Sequence, residues 1–127
     1  MIYFIRCDNS AKIGYSADPQ KRIKELQTGN PTKLSLMATM PGLKESEKAL
    51  HTLYQEYRIR GSEWFSFTNK NKLFWSIVSL QEQNRGNPDK RVPIISDIQS
   101  FYYAGAQKYL LLKSNRHVDL KERIKRV

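Results

Sequence analysis

The sequence predicts an α/β fold of the α+β kind: a small central antiparallel sheet of about three strands flanked by helices, followed by a helical C-terminal extension. Three observations carry this. Two short β-rich segments, "MIYFIR" and "AKIGYS", flank a tight-turn sequence at the start of the chain. Helix-start signals then alternate with further apolar runs up to about residue 67. Beyond that point, apolar residues recur at helical spacing and the composition turns strongly basic.

Asp8 and Asn9 suit the tip of a hairpin. With that tip, Ile5 lies opposite Lys12 and Tyr3 opposite Gly14, and period-two alternation puts all four positions on one face. Tyr3 then looks across at a missing side chain. Asp18 followed by Pro19 is an N-cap and first-turn pair, opening a helix over "PQKRIKELQTG" that runs until Gly29 with Ile23 and Leu26 on its apolar side. "TKLSLMATM" alternates as a third strand before Pro41 and Gly42. A second helix is expected over residues 44–58, burying Leu50, Leu53, Tyr54 and Tyr57. "SEWFSF" reads as a short strand or extended edge. Asn69 is the expected cap of a third helix, "KNKLFWSIVSLQEQNR", and Ser96 with Gln99 forms a capping-box pattern opening a fourth helix to about Leu112. Ile98, Phe101, Tyr102, Gly105, Tyr109 and Leu112 share one side of that helix. Residues 1–67 are thus expected to form a core, with 68–127 packed on it as a helical extension ending in a basic helix or an ordering tail.

The chain carries 22 Lys+Arg against 12 Asp+Glu, a net charge of +10 over 127 residues. Such a field concentrates polyanions, so nucleic acid is the expected partner. Residues 68–127 hold 12 of the basic groups and 5 of the acidic ones, which concentrates the excess there. The single Cys7 can form no internal disulfide and excludes cysteine-rich zinc sites. No apolar run approaches the roughly 20 residues of a membrane span, and the start of the chain lacks the basic flank and apolar core of a signal peptide. An intracellular, cytoplasmic protein with no membrane partner is expected.

The polar residues with defined places near the first hairpin are Lys12, Arg22, Glu47 and His51. Glu47 and His51 stand four apart on one helix face, a spacing that also suits an ordinary exposed pair. One carboxylate on a helix, a hairpin tyrosine and an arginine from another helix together could hold one divalent ion against a phosphate, the minimum for metal-assisted phosphodiester cleavage. There is no HExxH, CxxC pair, GxxxxGK loop or GxSxG elbow, which sets several enzyme classes aside.

The order of these parts resembles the GIY-YIG nuclease superfamily. "MIYFI" matches its first signature strand, "KIG" its second, Arg22 lies on the following helix, and "ESEKALHTLY" presents Glu47 as its helix glutamate. "KIGYSADPQKRIKELQTGNP", "EKALH" and "SEWF" resemble the phage-associated, meiotically up-regulated-gene-type branch, over residues 1–67. The resemblance implies a DNA endonuclease using one Mg²⁺ or Mn²⁺ ion. It makes Arg22 the residue on the scissile phosphate, Tyr3 the general base or water-orienting hydroxyl, and Glu47 the sole protein ligand of the metal. Lys12 stands where the second signature has tyrosine. A cation there would favour the phenolate of Tyr3. Tyr15 is the hydroxyl that would stand nearby instead. Relatives carry His or Tyr where this chain has Leu26, a function His51 would replace.

Basic residues Lys21, Lys24 and Arg58 near the site, and Lys113, Arg116, Lys121, Arg123, Lys125 and Arg126 in the extension, are expected to contact DNA phosphates without reading sequence. Tyr102, Tyr103 and Tyr109 would either stack on bases or fill the core. The alternative to an endonuclease is a non-catalytic nucleic-acid-binding module on the same fold. A third class is an interaction subunit that forms a homodimer through its C-terminal helices.

Overall fold

The computed structural model describes residues 1–89, 91 and 93–125, with side chains as far as Ser114. The first two strands, β1 (Ile2–Cys7) and β2 (Ser10–Tyr15), form an antiparallel hairpin whose register pairs Tyr3 with Gly14 and Ile5 with Lys12. The turn holds because Asp8 takes a left-handed conformation, φ 53°, which a short polar side chain tolerates. Helix α1 (Pro19–Gln27) starts where Asp18 accepts from Lys21 N, and Pro19 loses nothing at a position whose N–H has no helical partner. Gln27 then ties down the returning loop: its amide donates to the carbonyls of Asn30 and Thr32 and its oxygen accepts from Leu34 N.

Strand β3 (Ser35–Met40) pairs with β1, and β4 (Trp64–Ser66) pairs with β2, giving a four-stranded antiparallel sheet in the order β3-β1-β2-β4. The sheet therefore has one strand more than the expected three; the segment "SEWFSF" is a true edge strand. Because β4 covers only Ser10 to Lys12, the outer edge of β2 has no strand beside it from Ile13 onward among the described residues.

Helix α2 (Lys44–Leu53) ends five residues short of the expected Arg58 and passes into a 3₁₀ turn over Gln55–Tyr57. Leu50 and Tyr54 are buried, but Leu53 is 38% exposed because the helix ends there. Helix α3 (Lys72–Gly86) is capped by Asn71 rather than Asn69. The Asn71 carbonyl oxygen accepts from Phe74 N while its amide donates to Ser66 O, so one buried side chain both caps the helix and ties it to β4. Helix α4 (Ile98–Lys125) runs past the expected end at Leu112, and its first turn is held by Asp97, which accepts from Ser100 N at 2.7 Å, not by a Ser96–Gln99 box.

Both faces of the sheet are covered. On one, Ile2, Phe4, Ala11, Ile13, Ala38 and Met40 pack with Leu50 and Tyr54 of α2, Leu73, Ile77 and Leu80 of α3, and Phe101 of α4. Phe4 and Phe101 stack with centroids 5.0 Å apart, so the extension shares the core of the sheet. Helices α3 and α4 approach closely where Gly105 meets Ser76, whose hydroxyl lies 3.0 Å from that of Tyr54. Burial pushes the Tyr54 hydroxyl well above its ordinary pKa, so it stays neutral. On the other face a smaller cluster joins Tyr3, Ile5 and Leu34 to Ile23 and Leu26 of α1 and to Trp64. Among the described residues, no helix is long and apolar enough to cross a membrane.

Candidate active site

The smaller cluster supports the polar groups. Tyr3 is 2% exposed, and its ring lies in the notch left by Gly14, where any side chain would collide with it. The Tyr3 hydroxyl reaches the Arg22 guanidinium on α1, and that contact, followed by Glu25, raises the Arg22 pKa further above its ordinary value. Arg22 also donates to Glu25 Oε2 at 3.2 Å, yet its side chain remains exposed at the rim. Tyrosine and arginine thus meet across the strand-to-helix crossing, one fixed by burial and the other open to solvent.

Lys12 shares this face and is only 6% exposed. A buried ammonium requires a partner, and Lys12 Nζ donates to Glu63, in the turn leading into β4. The pairing of Lys12 with Trp64 across the strands brings residue 63 within reach. Lys12 above all, with smaller contributions from His51 and Arg22, holds the Glu63 carboxyl below the usual range against an opposing desolvation effect. Glu63 therefore lies in the combined field of groups on β2, α2 and α1, with the Lys12 ammonium dominant. Sequence reasoning gave it no role, because the contact depends on β4 docking beside β2.

His51 stands at the sheet edge. Its Nε2 lies 2.8 Å from Ile13 O, the carbonyl of β2 just past the end of β4. Since a carbonyl only accepts, Nε2 carries the proton and donates. Phe65 meets the imidazole edge-on at 5.1 Å. Glu47, one turn earlier, has Oε1 3.7 Å from the same nitrogen, too far for a hydrogen bond to a group already engaged. His51 thus caps an open strand edge and locks α2 to β2, leaving the partly exposed Glu47 carboxylate beside that junction.

A protein-family pattern described as the T5orf172 domain matches residues 1–75. The chain belongs to that family. No curated protein and no solved structure matches it. The T5orf172 domain here contains all four strands, α1, α2 and the first turn of α3, and hence every polar group described above.

Within the T5orf172 domain, Tyr3, Lys12 and Arg22 come together on one face, and Glu47 and His51 sit side by side at the adjoining edge. Tyr15 does not join them: it pairs with Ile2, which puts it by alternation on the face opposite Gly14, 37% exposed. Lys21 and Lys24 are exposed on α1 beside Arg22. Arg58 donates to Ser62 O at 2.7 Å and so braces the turn that carries Glu63. Lys113 lies outside the matched domain, exposed on α4, with its ammonium 4.5 Å from the centroid of Tyr109. Arg116, Lys121, Arg123 and Lys125 belong to α4 beyond the described side chains, and Arg126 lies outside the described residues.

Proposed function

We propose that the chain is a divalent-metal-dependent endonuclease that hydrolyses DNA phosphodiester bonds, its T5orf172 domain working as a variant of the GIY-YIG type. The observation that supports this most is the meeting of a buried tyrosine hydroxyl with a rim arginine, Tyr3 with Arg22, over a glycine notch. The family is linked to nucleases, and the net charge of +10 suits a DNA ligand.

The donor set fits one hard cation. Among the described residues no group of three or more His, Cys, Asp or Glu gathers as a ready-made cage. The partly exposed Glu47 carboxylate suits Mg²⁺ or Mn²⁺, which keep most positions for water and phosphate oxygens. Bound there, the ion would polarise the phosphate and offset charge on the leaving oxygen. Arg22, permanently charged, holds the phosphate at the rim and stabilises the transition state as charge grows on its oxygens. The Tyr3 hydroxyl, fixed by the Gly14 notch, orients the attacking water. Glu63 keeps the Lys12 ammonium on this face, and His51 fixes the helix from which Glu47 projects.

A second reading, a non-catalytic DNA-binding module on the same fold, is favoured by one observation: Lys12, standing where the second signature has tyrosine, is held by Glu63. Incubation of the full chain with supercoiled plasmid and with single-stranded DNA, in Mg²⁺ or Mn²⁺, separates the two. Hydrolysis should occur, and Glu47→Ala or Arg22→Ala should lower its rate by roughly 10²–10³-fold. Binding without any cleavage would overturn the nuclease reading in favour of the second.

A further inference from the structure

A second concave surface lies outside the candidate active site, between the start of α3 and the middle of α4. Asn69, Lys70, Trp75, Tyr109, Leu112 and Lys113 line an open groove of about 340 Å³. Among the described residues, no acidic side chain lines it. The indole N–H of Trp75 donates to Asn69 O at 2.9 Å, which fixes the ring before any ligand arrives. Lys113 Nζ sits 4.5 Å from the Tyr109 centroid and Lys108 Nζ 6.0 Å from that of Trp75. Ring faces covered by lysine ammonium groups are not sealed by apolar packing, so a flat ligand can exchange with the cation. Lys108 is already held by Glu82, whereas Lys70 and Lys113 are exposed at the groove.

We propose that this groove binds single-stranded nucleic acid, with bases stacking on Tyr109 and Trp75 and the flanking phosphates meeting Lys113 and Lys70. The combination of π faces and cations is the one such strands require. A duplex matches the charge but keeps its base faces stacked away from the rings. An acidic peptide matches the charge but offers no flat group to the floor. The excess of basic over acidic residues in 68–127 supplies the long-range attraction. Helices α3 and α4 cover the face of the sheet opposite Tyr3, so the groove is separate from the candidate active site and does not depend on its being catalytic.

The test uses the full chain in metal-free buffer, so that nothing is cut. The probes are a labelled oligothymidylate of roughly 12 nucleotides and a duplex of the same length. The groove predicts tighter binding of the single strand and quenching of tryptophan fluorescence that disappears in Trp75→Phe while affinity is kept. Tyr109→Leu lowers single-strand affinity by about tenfold or more, whereas Tyr109→Phe retains it. Lys70→Ala with Lys113→Ala reduces the salt slope by roughly 1.4 with an unchanged thermal melt. The proposal is overturned if oligothymidylate shows no salt-sensitive binding, if Tyr109→Leu and the double lysine variant bind as the native chain does, or if polyglutamate competes as well as oligothymidylate. These readouts are equilibrium affinities, so they stand or fall apart from the cleavage assay.

Discussion

The ring of Tyr3 lies against the α-carbon of Gly14, its cross-strand partner: a Cβ added at position 14 would fall 2.2 Å from Tyr3 Cζ and 2.3 Å from the hydroxyl oxygen. Glycine is required here for space rather than for backbone conformation. Gly14→Ala should cost about 1–3 kcal/mol of stability and push the hydroxyl away from Arg22. Urea denaturation and cleavage kinetics check both effects. An alanine variant as stable and as active as the native chain would contradict the notch.

The Lys12–Glu63 pair gives a pH dependence with a fixed sign. The folded-state pKa of Glu63 is depressed, so its contribution is fully present above the unfolded value of about 4.3 and drains away as pH falls through the lower folded value. Glu63 is more than half exposed, which limits the effect to under about 1 kcal/mol. Glu63→Gln should flatten the stability profile between pH 5 and 3, taken as roughly the acid limb of carboxylate titration, by lowering stability at neutral pH while leaving the acid end almost unchanged. Denaturant midpoints measured across that window provide the check.

At the sheet edge, His51→Ala should leave the Ile13 carbonyl without its 2.8 Å donor, at a cost of about 1–3 kcal/mol. Hydrogen exchange should then rise at the end of α2 and along Ile13–Tyr15 more than in α3. Equal exchange in both variants would mean that His51 does not lock the helix to the strand.

A substitution remote from the site tests the attachment of the extension. Gly105→Ala would place a Cβ 2.0 Å from Ser76 Oγ, 2.6 Å from Ser76 N and 2.7 Å from Lys72 O. Two of these neighbours are backbone, so relief requires α3 and α4 to separate. A loss of about 2–3 kcal/mol is expected by calorimetry, whereas Gly86→Ala, with none of the described residues within 4 Å of the added atom, should be near neutral.

The hairpin register was legible because two local rules agree there: Asp8 and Asn9 fix the turn, and period-two alternation fixes which face each residue takes. Asp18 and Pro19 fixed the start of α1 in the same way. The caps of α3 and α4 were misassigned by one or two residues because Asn69 and Asn71, or Ser96 and Asp97, are chemically equivalent candidates. Only the tie from Asn71 to Ser66 and the bond from Ser100 to Asp97 decide between them. Glu63 could not be read from local pattern, since its partner Lys12 lies 51 residues away and the contact exists only once β4 docks on β2. His51 looked like half of an ion pair with Glu47, but its stronger partner is a carbonyl exposed by the early end of a neighbouring strand, a feature of tertiary topology.

The most direct test of the proposed site is the location of Mn²⁺ by anomalous scattering in crystals of the full chain with a short DNA. The account predicts one ion about 2.1 Å from a Glu47 oxygen, sharing a phosphate that Arg22 also contacts. An ion bound elsewhere, with Glu47 carrying no metal while DNA occupies the Tyr3–Arg22 face, would contradict it.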